Sequence, residues 1–505
     1  MDLAAAAPNS PLTPALPAGV GPARWAVRGA GWLGLDGLSR TGLTVTSILA
    51  LALLLGALAL VLVEAWRGRV RLRTMLTVSA VSLAVSVAGP VLLSRDVFSY
   101  AAYARIYALH HRNPYALAPA SFPRDPFVAV TSTQWLHVRS AYGPAFTLVS
   151  AAIVRVLARS PGHTVLAFKA MAGVSVVVAT ACAAVAARAI RPDRAALAAG
   201  IVGLNPVVVV HTVGGGHVDG LIAGALAGAF ALALAPPSSR SRLASVRPVG
   251  VTVLLTLACL IKVVMLPALV LWIWWGARTG RGPRRRFFAA HGAVSVGLAA
   301  SVAAPFVAGG GAFALLASTG GVESWASPAR LVARGAAAVA DPLAGTAAAT
   351  IAGDAVIAAF LATFVTLVWK VWRSGPAIGS GSPKPRLADA LAGRWGLTLL
   401  LLALCLPFLL PWYAAWFLPF LALVGDDVLM WIGVAAAAAL SLTLIPADPP
   451  RGVASWGVML SAHYVAAPIL LVLLAGVTGR VTRGRGSWSP ASGREVPPPP
   501  DRDLR

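Results

Sequence analysis

Apolar runs recur along the chain at roughly the length a helix needs to cross a bilayer, about 20 residues. No other feature constrains the fold as strongly. Leu43–Val63, Met75–Leu93, Thr164–Ala187, Ala289–Val307, Ala347–Trp369 and His463–Val477 are such runs, separated by polar or glycine-rich loops. Hydrocarbon offers no water to an unpaired backbone group, so runs of this kind must fold as helices. With 58% hydrophobic and only 11% charged residues, the expected class is an all-α polytopic integral membrane protein.

The net charge is +24, from 41 Lys and Arg against 17 Asp and Glu. In a soluble chain that excess would point to nucleic acid. Here the cations sit in short loops, clearest in RGRVRLR at Arg67–Arg73, as the positive-inside rule expects. No basic domain of adequate size exists, so nucleic acid is excluded as a partner, while membrane lipids with anionic headgroups are expected ones. Alternating these loops gives about 13 spans, with the N-terminus outside and the C-terminus inside. The expected organisation is a disordered Ala/Pro-rich segment over 1–42, a membrane domain over 43–477 with a large external loop at 94–142, and a disordered basic, Pro-rich tail over 478–505. Cys182, Cys259 and Cys405 lie far apart inside apolar runs without CxxC spacing, which reads as packing rather than a disulfide or zinc site.

Two segments depart from the simple pattern. Ala145–Leu157 is short and carries Arg155, so it is expected to lie in the interface rather than to span. Val249–Trp275 is too long for one untilted span and is interrupted by Lys262 and Pro267. It is expected to be two short helices broken near Lys262.

The chain is organised around Ser94–Tyr115, which directly follows an apolar run. Asp96 falls where that run leaves the membrane, followed by Phe98, Tyr100, Tyr103 and Tyr107 and then Arg105, His110, His111 and Arg112. The pattern predicts an amphipathic interfacial helix with its aromatics toward lipid headgroups, stopped by Asn113-Pro114. Asp96 suits a helix N-cap, and it also suits a general base at the membrane surface.

The other polar groups on the expected outer side are few. HTVGGGHVDG at His211–Gly220 offers His211, His217 and Asp219 around three glycines that permit close backbone approach. A His-x-Asp pair alone does not make a metal site. Lys262 interrupts an apolar run, where it either snorkels or neutralises a lipid phosphate. Tyr142 in AYGP, and Trp412 and Tyr413 in PWYAAW, fit an aromatic belt or a surface that stacks on sugar. No P-loop, HExxH or nucleophile-elbow pattern occurs.

RDVFSYAAYARIYALHHRNPY, AYGP, LNPVVVVHTVGGGHVDGLIAG, LIKVVMLP and LPWYAAWFLP, in that order, resemble the actinobacterial polyprenol-phosphate-mannose-dependent α-(1→6)-mannosyltransferases of the GT-C superfamily. The resemblance spans Leu43–Val477. It implies a GT-C-like fold with interfacial helices in the first large external loop. It also implies a polyprenyl-phosphate sugar donor, a lipid-linked mannan acceptor and inversion at the anomeric carbon on the outer face of the plasma membrane. Asp96 then occupies the position of the essential acid. Tyr100, Arg105, Tyr142, His211, His217, Asp219, Lys262, Trp412 and Tyr413 become the expected substrate-binding set. Some GT-C enzymes use a divalent metal, but no ligand set for one is visible here. Another GT-C transferase, α-(1→2)-mannosyl or arabinosyl, and a lipid-linked sugar flippase are the alternatives.

Overall fold

A computed structural model describes residues 1–17, 20–158, 160–234, 243–279, 283–307, 324, 326–373, 384–424, 426–443 and 453–483. Within them every regular element is helical. Five helices are long and apolar enough to cross a membrane: Arg40–Trp66, Pro161–Ile190, Arg284–Phe306, Pro328–Arg373 and Tyr464–Thr482. A bent pair, Pro192–Gly203 with Val207–Val213, makes a sixth if counted as one broken span. Leu72–Ala88, Asp219–Leu234, Leu391–Cys405 and Asp427–Ser441 are among the shorter apolar helices. The protein is a multi-pass membrane protein.

In chain order the helices are α1 (Asp2–Ala6), α2 (Arg24–Trp32), α3 (Arg40–Trp66), α4 (Leu72–Ala88), α5 (Asp96–Ala108), α6 (Thr133–Leu136), α7 (Pro144–Leu157), α8 (Pro161–Ile190), α9 (Ala195–Gly203), α10 (Asp219–Leu234), α11 (Leu243–Ile261), α12 (Leu266–Thr279), α13 (Arg284–Ala303), α14 (Pro328–Arg373), α15 (Lys384–Cys405), α16 (Ala414–Leu421), α17 (Asp427–Ser441) and α18 (Val453–Thr482). α8, α9, α10 and α16 pack together at the centre, with α4 on one flank and α11 and α15 on others. Alanine and glycine faces permit this closeness: Ala172, Val176, Ala179 and Ala183 of α8 are buried, and a Cβ on Gly220 or Gly224 would meet α8 backbone oxygens at 3.0 Å. Small residues let membrane helices approach and gain dispersion contacts.

Several expectations need correction. α5 is not a surface helix: Phe98, Tyr100 and Tyr103 are almost fully buried. The loop after it folds back as a cover, with Tyr103 donating to the Val138 carbonyl at 2.8 Å and α7 packed alongside. A helix covered on every side has no use for an amphipathic pattern. α5 also ends at Ala108, ahead of Asn113-Pro114. His111 turns the chain with φ +52°, and the Asn113 side chain accepts from the Tyr115 N–H at 2.9 Å. Around Asn205-Pro206 the chain bends by 42° between Pro192–Gly203 and Val207–Val213. The expected His211–Gly220 turn begins later, since a π-helix runs from Val207 through Val213. Residues 1–17 and 20–42, expected to be disordered, contain α1 and α2. Leu12 is fully buried, and its carbonyl accepts from Leu93 N–H at 2.6 Å. The tail beyond 483 lies outside the described residues.

The two unusual segments have the lengths and the break that their sequences suggest. α7 has 14 residues, too few to cross. α11 and α12 are separate helices, and Lys262 between them is extended (φ −141°, ψ 119°). Gly143 docks on that break, donating to the Ile261 carbonyl at 2.9 Å. A Cβ there would stand 2.0 Å from the Leu260 carbonyl oxygen, an overlap that only backbone movement relieves. Gly143→Ala is therefore expected to destabilise by about 2–4 kcal/mol, lowering the thermal midpoint in detergent. Gly162→Ala, with nothing within 4 Å of its new methyl, is the control that should not move. Equal midpoints for the two variants would mean that Gly143 does not clamp the helix break.

Candidate active site

Five chain segments meet where α4, α10, α12 and α15 have their ends on one side. Asp96 is the first residue of α5 and lies one position inside the cap, which is Arg95. Its backbone N–H donates to Ser94 Oγ at 3.1 Å. A role as N-cap therefore does not account for it. The residue is 8% exposed. Tyr100 follows one turn later on the same side of α5.

His217 joins the two. Its Nδ1 is 3.6 Å from Asp96 Oδ2 and 3.3 Å from the Tyr100 hydroxyl. The imidazole lies flat against Trp412, centroids 3.4 Å apart at 18°. Burial, then Lys262 and His211, hold the His217 pKa well below the usual imidazole range, so at neutral pH the ring is uncharged. Burial, followed by the Asp96 and Asp219 carboxylates, pushes the Tyr100 hydroxyl well above its ordinary value. It is a neutral donor. Neither His217 Nε2 nor Trp412 Nε1 has a hydrogen-bond partner among the described residues. Gly216 makes this turn possible, with φ +69°, a conformation that costs a side chain and not glycine. The turn's glycines are filled by protein rather than left open: Val97 and Lys169 crowd Gly216.

Asp219 opens α10 and is fully buried. Lys262 Nζ donates to both its oxygens, at 2.9 and 2.8 Å, and Trp416 Nε1 donates to Oδ1 at 2.8 Å. The ammonium also lies 4.8 Å from the Tyr413 ring centroid, while Tyr413 stacks on Trp416 at 3.9 Å. Lys262 does not snorkel; it is clamped between a carboxylate and aromatic faces. Tyr142 closes the far wall, edge-on to Tyr100 at 4.8 Å, with Phe146 5.0 Å from Tyr100.

Eight of the ten expected residues thus form one cluster: Asp96, Tyr100, Tyr142, His217, Asp219, Lys262, Trp412 and Tyr413. Arg105 points elsewhere, pairing with Asp125 at 2.6 Å and donating to the Ala158 carbonyl at 3.2 Å. It ties α5 to the covering loop and to the end of α7. His211 sits on the π-helix with Nε2 3.0 Å from the Ser441 carbonyl, where it joins that helix to α17. Trp416 was not expected. Its signal was present, one helical turn after Trp412 in PWYAAW. Among the described residues no group of three or more His, Cys, Asp or Glu could hold a metal ion. Asp219 is already committed to Lys262, so the cluster does not fit a metal centre.

Chemically, the cluster offers a carboxylate at a membrane-side helix start, a neutral donor beside it, an aromatic wall and a restrained cation. Residues 12–278 match a family model described as "Alpha-(1->6)-mannopyranosyltransferase, N-terminal domain". Over 417 residues the chain is 27% identical to alpha-(1->6)-mannopyranosyltransferase A of Mycobacterium tuberculosis, covering 78% of this chain and 72% of that one. Among solved structures, the oligosaccharyltransferase AglB of Archaeoglobus fulgidus, in complex with an inhibitory peptide and a dolichol-phosphate, aligns over 83% of this chain with TM-score 0.40 and 12% identity. The apo form of the A. fulgidus oligosaccharyltransferase aligns with TM-score 0.37 and 12% identity. The chain spans 56% of the length of each, and similarity at that level carries no argument about fold or activity.

Proposed function

The chain belongs to the α-(1→6)-mannopyranosyltransferase family, and on that premise we propose that it is an inverting enzyme moving mannose from a polyprenyl-phosphate donor to a 6-hydroxyl of a lipid-linked mannan, at the outer face of the membrane. That it is a membrane glycosyltransferase follows from the family. The donor, acceptor, facing and residue roles are our reading, as is the GT-C-type arrangement the family implies. The observation that carries the reading is Asp96, held beside His217 and Tyr100 at the end of a membrane helix and opposite a clamped cation.

In this reading Asp96 takes the proton of the acceptor hydroxyl as its oxygen attacks the anomeric carbon. The bond from that carbon to the phosphate oxygen breaks, and polyprenyl phosphate leaves with the electron pair. Attack on the face opposite the phosphate converts a β-linked donor into an α-linked product. His217, hydrogen-bonded to Tyr100 at 3.3 Å and 3.6 Å from Asp96, forms the wall of the space beside Asp96. The unpartnered His217 Nε2 and Trp412 Nε1 are available to sugar hydroxyls. An ammonium has three N–H donors, so with two on Asp219, Lys262 keeps one for the leaving phosphate, a contact that strengthens as charge develops there.

The test is transfer by membranes carrying the wild-type chain, supplied with radiolabelled polyprenyl phosphomannose and an oligomannoside, with linkage analysis of the product. A 1→6 mannoside is the expected outcome. A 1→2 product would keep the donor and overturn the acceptor geometry. Transfer only from a polyprenyl-phosphate pentose would overturn the donor.

A further inference from the structure

α12 and α15 both run from the Asp96 cluster to a second cluster at their other ends, where the last turns of α14 join them. Lys262 precedes α12, and Arg278 lies near the far end of that helix, about 18 Å beyond its start at 1.5 Å per residue. Trp412 follows α15, and Arg394 lies about 16 Å before the end of that helix. The chain of α14 breaks at Gly345 (φ +82°), and Trp372 beyond that break donates from Nε1 to Thr398 Oγ1 at 2.9 Å, about 10 Å before the end of α15.

There, two arginines and two indoles form a ladder. The Arg394 guanidinium carbon is 5.8 Å from the Trp372 ring centroid, Trp372 lies 6.1 Å from Trp274, and Arg278 is 4.9 Å from Trp274. Arg394 is 5% exposed, and its Nε–H meets no acceptor among the described residues. No described acidic side chain pairs with Arg394 or Arg278. The nearby Trp275 Nε1 is also buried without a partner. A buried cation left uncompensated is strongly unfavourable, and aromatic faces offset only part of that cost. Among the described residues the cluster has donors in excess and no anion.

We propose that Arg394 and Arg278 form a phosphate-binding site for an anionic phospholipid headgroup, on the membrane face opposite the Asp96 cluster. A headgroup is favoured over a free anion because the surrounding surface has the character of a membrane interface. Trp369 is 53% exposed, and the Arg373 guanidinium carbon lies 5.1 Å from its ring, as in aromatic and basic belts at bilayer edges. This site takes no part in the proposed transfer reaction and stands whether or not that reading holds.

The test is native mass spectrometry of the full chain in detergent with phosphatidylglycerol, phosphatidylcholine and inorganic phosphate as probes. The wild type is expected to bind phosphatidylglycerol at least fivefold more tightly than phosphatidylcholine. Arg394→Met should remove that preference and Arg278→Met reduce it at least twofold, while Arg73→Met, at an exposed position in the first turn of α4, should leave it intact. A wild type without the preference would overturn the site even if Arg394→Met does not fold. An unchanged preference in the Arg278→Met or Arg394→Met variant would do the same. Displacement of lipid by millimolar inorganic phosphate would overturn the headgroup assignment in favour of a soluble anion.

Discussion

Asp96→Asn is expected to lower mannosyl transfer by about 10²–10⁴-fold, the range over which a positioned general base contributes, at unchanged protein abundance. Asparagine keeps the shape of the side chain but loses its negative charge, and with it the capacity to accept a proton. The residue is the first of α5, and the backbone contact at that position runs from its own N–H to Ser94, so the substitution leaves the helix start intact. The neutral His217 ring 3.6 Å away makes no hydrogen bond to Asp96 that the substitution would break. Donor KM should therefore stay within a few-fold while kcat falls, as for an interaction made only in the transition state. Initial rates with radiolabelled donor over a concentration series make the measurement. A variant with near wild-type kcat would remove Asp96 from the chemistry. Asp219 could not simply replace it, because both its oxygens are held by Lys262.

The membrane class, the short α7 and the break at Lys262 were legible because span length and polar interruption are one-dimensional signals. So was most of the cluster, since an ionisable or aromatic group beside an apolar run has few inexpensive places to go. The same criterion selected Arg105 and His211, and helical phase explains why they fall outside. Asp96, Tyr100 and Tyr103 follow one another at four and three residues and share a face of α5. Arg105 is five residues from Tyr100, about 140° round the helix at 3.6 residues per turn. It meets Asp125 instead, a partner from a loop whose path the sequence does not fix. His211 and His217 look equivalent in HTVGGGHVDG, but the π-helix ends between them. One ring is turned to α17 and the other to Trp412. Burial of α5 was hidden for a related reason. Aromatics that read as an interfacial stripe are packing residues once the chain beyond Ala108 folds over them.

The Lys262–Asp219 pair is the place where stability and function should separate. Asp219 is fully buried, whereas the Lys262 side chain is 12% exposed and retains the Tyr413 face. Removing the lysine strands a carboxylate whose one other side-chain donor among the described residues is the Trp416 N–H. Removing the carboxylate strands a cation that still has an aromatic partner and partial access to water. Lys262→Met is therefore expected to cost about 3–5 kcal/mol, the range for breaking a buried pair, and Asp219→Asn distinctly less. The double variant Lys262→Met/Asp219→Asn removes both charges, so it should recover much of the stability that Lys262→Met loses. Transfer should not recover with it, because the N–H proposed to meet the leaving phosphate is gone. Thermal midpoints in detergent and kcat on the same three preparations make the comparison. A double variant as active as the wild type would make the pair a scaffold element and leave the leaving phosphate without its proposed cation. A double variant no more stable than Lys262→Met would instead show that the lysine stem, and not its charge, holds the α11–α12 break.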